Sequence, residues 1–151
     1  MIIIGYQGIG KSTLGQEHKG YIDLESSSFY VNGERAADWY IPYCQVAEHL
    51  SKQGYVVFTS SHEEVRNFLK DSEEKVCCCF PNLDLRDQWV EKLRHRYCNT
   101  NLEKDYRAYI NAVHCYSDDI TALVYSGFQN IVIDSLDYTL EKVIRFAFGI
   151  F

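Results

Sequence analysis

The pattern G-x-x-x-x-G-K-[ST] is met in full by Gly5-Tyr6-Gln7-Gly8-Ile9-Gly10-Lys11-Ser12, directly after the apolar run Ile2-Ile3-Ile4. Each residue type in it has a physical reason. Glycines let successive N–H groups turn inward into a concave nest without Cβ clashes. A helix that follows points its first amides and positive dipole end at the same anion. Lys11 is placed to reach the β- and γ-phosphates of a nucleotide, and the Ser12 hydroxyl to ligate Mg²⁺. The nucleotide-binding set is therefore Gly5, Gln7, Gly8, Ile9, Gly10, Lys11, Ser12 and Thr13, with ATP and Mg²⁺ as the expected ligands. A chance match in a chain of this length is roughly a one-in-a-hundred event. The context fits as well, since a β-branched run precedes the loop and Lys11–Glu17 is helix-capable.

The rest of the chain alternates between short apolar runs and helical periodicities. Strands are expected at 2–4, 21–24, 55–59, 75–80 and 131–133. Helices are expected at 35–53, with Pro42 starting or kinking it, from Ser60 or Ser61 to Leu69, and from Asn82 or Asp84 onward. Further helices are expected at 103–113, 118–125 and 136–147. Nearly continuous apolar strands suit a parallel sheet covered on both faces. The expected fold is α/β, three-layered, with a mainly parallel five-stranded sheet and a helical insertion. A single domain spanning 1–151 is expected, with segment 84–127 as the insertion.

Composition narrows the function classes. A net charge of −6 argues against a chain built to coat duplex nucleic acid. No apolar run approaches the roughly 18 residues of a membrane span, and no secretory segment precedes the loop, so the cytoplasm is the expected compartment. The six cysteines include the run Cys77-Cys78-Cys79, whose neighbours alternate faces in a strand and are poorly placed to pair. They read as small buried hydrophobes rather than as a zinc set from Cys98, His114 and Cys115.

With the loop so near the first residue, the layout resembles the small P-loop kinases: nucleotide, shikimate and gluconate kinases, and the kinase module of phage-type polynucleotide kinases. That resemblance implies a P-loop NTPase fold and transfer of a γ-phosphoryl group to a small acceptor. Such kinases often carry an acid pair at the end of the second strand. Asp23-Leu24-Glu25 is similar, implying Asp23 as base or acceptor holder and Glu25 beside it. Their lids bring guanidinium groups over the transferring phosphoryl, and Arg94, Arg96 and Arg107 stand in a segment, 84–107, that holds six of the 15 basic residues. Arg94 and Arg96 lie ~200° apart on a helix, so at most one of the two faces the site while both remain helical. Trp39, with Phe29, Tyr30 and Tyr43, is placed to stack an acceptor base. His62 could touch the acceptor, although a histidine at a helix start is more often structural. Two departures stand out: few residues between Lys11 and Asp23, and Thr59-Ser60-Ser61 where many P-loop enzymes have a metal-supporting aspartate. No N-K-x-D motif occurs, which favours ATP over GTP. The expected function is transfer of phosphoryl from ATP to a nucleotide or nucleoside; a polynucleotide 5′-hydroxyl kinase and a non-catalytic nucleotide-binding module are the alternatives.

Overall fold

The structure, a computed structural model, describes residues 1–149 of the chain. Apolar runs bounded by glycine, proline or polar turns form five strands: β1 (Ile2–Gly5), β2 (Tyr21–Asp23), β3 (Val56–Thr59), β4 (Val76–Pro81) and β5 (Gln129–Ile133). They make one sheet in the order β2-β3-β1-β4-β5, with every pairing parallel. Strand β1 is central and covered on both faces, so Ile2, Ile3 and Ile4 are all fully buried. This is why the sequence is apolar at every position there instead of at alternate ones.

Six α-helices accompany the sheet among the described residues: α1 (Lys11–Glu17), α2 (Tyr40–Lys52), α3 (Glu63–Leu69), α4 (Arg86–Thr100), α5 (Glu103–Val124) and α6 (Leu140–Ala147). Right-handed crossovers put the helix of a leftward step on one face and that of a rightward step on the other. The step from β1 to β2 runs one way; the three later steps run the other. The contacts follow this division, with α1 against α6, α2 against α3 and α4 against α5. The reversal falls between neighbours β1 and β3, whose outgoing loops part to opposite faces. Open α/β sheets bind ligands in such a crevice, at the carboxyl ends of the strands. No helix among the described residues is long and apolar enough to cross a membrane.

Several boundaries differ from the sequence expectation. Helix α2 begins at Tyr40 instead of Arg35, which places Pro42 in its first turn, where a missing N–H costs nothing. The helices expected at 103–113 and 118–125 are one continuous α5. No glycine or proline lies between Pro81 and Gly127, and Tyr116 in the supposed gap is buried, its hydroxyl donating to the Asn82 carbonyl at 2.7 Å. Helix α6 starts at Leu140, where the Thr139 side chain caps it, leaving 134–139 as a loop. The cysteines are unpaired, with Cys44, Cys77, Cys78 and Cys79 buried.

The short link from loop to β2 has a packing explanation. A Cβ at Gly15 would stand 3.2 Å from the Asp23 backbone nitrogen, so α1 lies directly on β2. Glycine allows this approach, and the chain turns back into β2 within three residues. A Gly15→Val substitution is therefore expected to force α1 off the strand and cost about 1–3 kcal/mol. The urea midpoint measures this, and a midpoint at the wild-type value would refute the close contact.

Candidate active site

The loop after β1 is held by its carbonyl oxygens. Lys11 Nζ donates to the Gly5 carbonyl at 2.9 Å, Trp89 Nε1 to the Gln7 carbonyl at 2.9 Å, and the Tyr138 hydroxyl to the Ile9 carbonyl at 2.8 Å. The Gln7 side chain reaches the Ala108 carbonyl at 3.0 Å, and Tyr6 is buried edge-on against Tyr116. With carbonyls tied to side chains, the backbone turns at Gly8 and Gly10, whose φ angles are 86° and 106°. That is the left-handed region which glycine enters without a Cβ penalty. The first helical bond of α1 runs from the Leu14 amide to the Gly10 carbonyl, so the amides of Lys11, Ser12 and Thr13 precede the ladder. Amides in that position, with an adjacent ammonium, suit an anion.

Two cavities flank the loop. The larger, about 810 Å³, lies between Gly8–Leu14, the α4 residues Lys92 and Arg96, and the loop from β5 to α6. The smaller, about 220 Å³, lies between Gln7–Ser12, the ends of β2 and β3 at Asp23–Ser26 and Ser60, and Arg96, Lys104 and Asp105. Gly8, Gly10, Ser12 and Arg96 line both. The loop is thus a partition with a chamber on each side, and Arg96 spans the two.

Burial sets the electrostatics. It pushes the Lys11 ammonium below its ordinary value, and the carboxylates of Asp23 and Glu25 pull it back. It pushes Asp23 above the ordinary carboxylate value, against the pull of Lys11. Lys92 lies over the Trp89 ring at 4.2 Å, donates to the Tyr138 hydroxyl at 3.1 Å, and is pushed down to about 8 by burial and then by Arg96.

Of the residues singled out in the sequence, Gln7, Gly8, Gly10, Lys11, Ser12, Asp23, Glu25 and Arg96 meet around the smaller cavity, while Ile9 and Thr13 line the larger. Arg94 and Arg96 part as their azimuths require. Arg96 Nε holds the buried Asp105 carboxylate at 3.0 Å, and Thr100 Oγ1 donates to the same carboxylate. Arg94 pairs with Glu91 and lines neither cavity. Arg107 pairs with Glu103 at 2.6 Å and is 62% exposed, away from both cavities. The aromatic set also falls elsewhere. Trp39 and Tyr43 are buried and pack with Phe29 and His62, so they are core residues and no base-stacking platform. At the end of β3, where many P-loop enzymes have a metal-supporting aspartate, Thr59 is fully buried. Lys92 and Tyr138 escaped the sequence reading. The spacing of Lys92 and Arg96, four apart on one helix face, was the available signal for the first; nothing local marked the second.

The two arginines separate experimentally. Arg96→Ala strands Asp105 in the interior and is expected to cost about 2–3 kcal/mol, below the figure for a fully buried pair because Arg96 is partly exposed. Arg94→Ala is expected to leave the melting temperature unchanged, since its partner is a surface carboxylate. Thermal melts of the two variants side by side check this, and equal losses would contradict it.

No protein-family model matches this chain, and no curated protein matches it. Among solved structures, a tunicamycin resistance protein from Deinococcus radiodurans is similar in fold, with a TM-score of 0.57 at 17% identity over 99% of this chain and 96% of that one. A likeness at that identity extends to the α/β architecture and its all-parallel sheet.

Proposed function

We propose that this chain is a phosphotransferase of the small P-loop kinase type, moving the γ-phosphoryl of ATP to the hydroxyl of a small acceptor. The observation that carries the reading is the position of the loop Gly5–Ser12 as a wall between two cavities, with Lys11 beneath it and Arg96 across it. The larger chamber falls within the ordinary volume of a ligand pocket and takes the nucleoside part of the donor. The smaller takes the hydroxyl-bearing end of the acceptor. The neighbour described as a tunicamycin resistance protein is compatible with a small-molecule acceptor.

The steps then fall to named side chains. Lys11 leaves the Gly5 carbonyl for the donor's terminal phosphates, regaining for its ammonium a partner of opposite charge. Asp23, at the end of β2, orients the acceptor hydroxyl and takes its proton. Arg96 lies against the transferring group, where a permanently charged planar donor stabilises the spreading negative charge. Helices α4 and α5 cover this side and limit water. Mg²⁺, when bound, would neutralise the donor phosphates, and the Ser12 hydroxyl would be its ligand from this chain, since that ion takes hard oxygen ligands, few of them from protein.

Asp23→Asn distinguishes a kinase from a nucleotide-binding module without transfer chemistry. The expected outcome is an unchanged affinity for Mg·ATP by calorimetry and a turnover lowered ~10³-fold. In the wild type, kcat/KM is expected to fall as acid protonates Asp23, through a pH above its ordinary 3.8 because burial raises it, and Asp23→Asn loses that limb. Equal transfer rates for the two proteins would refute the base assignment.

Lys11→Met tests the loop itself. A lysine whose folded value lies below its ordinary 10.5 costs stability at neutral pH, and the cost fades as pH climbs toward that value. Relief of that cost in the variant opposes the loss of the bond to the Gly5 carbonyl, so the decisive readout is the ligand response: the variant is expected to lose the melting shift that Mg·ATP gives the wild type. A full shift in Lys11→Met would sink the phosphate-cradle reading.

A further inference from the structure

Arg35, between β2 and α2, leads to a constraint on the acceptor. Its guanidinium stands 4.5 Å from the Trp39 ring and 5.2 Å from the Tyr30 ring. Nη2 donates to Ser26 Oγ at 3.0 Å, and Nη1 lies 2.9 Å from His62 Nε2. Arginine only donates, so His62 Nε2 accepts and the ring proton sits on Nδ1. That proton is donated to Ser60 Oγ, 2.8 Å away. Ser60 therefore spends a lone pair on His62 and keeps its own O–H to give. Burial and the adjacent Arg35 hold His62 below its ordinary value, against the pull of Glu64, which keeps this relay neutral.

Ser60 lines the smaller cavity together with Asp23. Their strand ends are pinned side by side by Tyr43, whose hydroxyl donates to the Leu24 carbonyl at 2.7 Å and accepts from the Ser60 amide at 2.8 Å. Adjacent strand ends thus present one fixed hydroxyl donor and one carboxylate. Charge adds the second constraint. The cations lining the cavity are Lys11, Arg96 and Lys104, and the carboxylates are Asp23, Glu25 and Asp105. Arg96 holds Asp105 through Nε and is reserved for the transferring phosphoryl, and Lys104 stands 3.8 Å from Glu25. On the phosphotransfer reading, on which this inference rests, Lys11 serves the donor's phosphates. A phosphorylated acceptor would bring up to about two further negative charges with no uncommitted cation lining the cavity.

We propose that the acceptor is an uncharged hydroxyl compound, of the nucleoside or sugar class and not a nucleoside monophosphate or polynucleotide end, held through Asp23 and the Ser60 hydroxyl. Its reacting hydroxyl faces Asp23, and a neighbouring oxygen accepts from Ser60 Oγ. In transfer, the acceptor oxygen forms a bond to the γ-phosphorus of the nucleoside triphosphate. The bond from that phosphorus to the β,γ-bridging oxygen breaks, its electron pair leaving on the nucleoside diphosphate. The hydroxyl proton passes to Asp23.

The test uses the whole chain with Mg²⁺ and γ-labelled ATP, offered matched pairs: nucleosides against their 5′-monophosphates, glucose against glucose 6-phosphate, and a 5′-hydroxyl oligonucleotide. Labelling of an uncharged member is expected, with kcat/KM at least about 100-fold above that of its phosphorylated partner. Ser60→Ala is expected to raise the KM of that acceptor about tenfold, Ser60→Thr to restore it, and both to keep the wild-type melting shift with Mg·ATP. Preferred labelling of a phosphorylated acceptor or the oligonucleotide, or no labelling of any uncharged compound, overturns the proposal while a melting shift with Mg·ATP leaves the nucleotide site standing. Loss of that shift in the wild type removes the phosphotransfer reading beneath it.

Discussion

The structure depends on the capture of three carbonyl oxygens. Gly5, Gln7 and Ile9 each have their carbonyl bonded by a side chain, from Lys11, Trp89 and Tyr138 in turn. A backbone whose carbonyls are committed has its amides to offer elsewhere, and it is the amides that suit an anion. The three donors come from different parts of the chain: the loop's own helix, the first helix of the insertion, and the loop from β5 to α6. Trp89 and Tyr138 also stack on each other, rings 6.2 Å apart and 20° from parallel. The loop is therefore shaped by long-range packing as much as by its glycines, and the insertion is part of its support.

The cost of this arrangement falls on Lys11, which is desolvated and donates to the Gly5 carbonyl. Asp23 shares it, since burial raises its carboxyl while Lys11 lowers it. The two are coupled: whatever draws the Lys11 charge toward a bound anion releases some of its pull on Asp23. On the proposed reading, the carboxylate then becomes a stronger base when the donor is in place.

The five parallel strands and the glycine loop were legible in residue pattern, because short apolar runs and a glycine loop between a β-branched run and a helix are local signals, while the strand order was not. Asp23 was legible for the same reason, as the first acid after an apolar run. What failed was non-local. Trp39 and Tyr43 recur at helical spacing, and that spacing cannot tell a core face from a binding face; burial decided for the core. Arg94 and Arg107 are arginines in the expected segment, yet neighbouring glutamates three or four residues away hold them on the surface. His62 was visible as an acceptor-side candidate and Ser60 only as a possible helix cap. Their roles depend on Arg35, whose position is set by Trp39 and Ser26, far from β3 in sequence.

The missing aspartate at the end of β3 fits the same charge economy. Thr59 is fully buried there and donates to the Ser60 carbonyl at 3.3 Å. A carboxylate in its place would enter the interior with every lining cation of the neighbouring cavity already matched or reserved, and an unpaired buried charge is expensive. It would also stand next to Ser60, whose hydroxyl is oriented by a neutral histidine that an added negative charge would tend to protonate. Protonated, His62 would lose the lone pair that accepts from Arg35, and the two cations would repel. A neutral residue at position 59 keeps the Arg35–His62–Ser60 relay in one tautomer, which is the condition for Ser60 to donate to an uncharged acceptor as proposed.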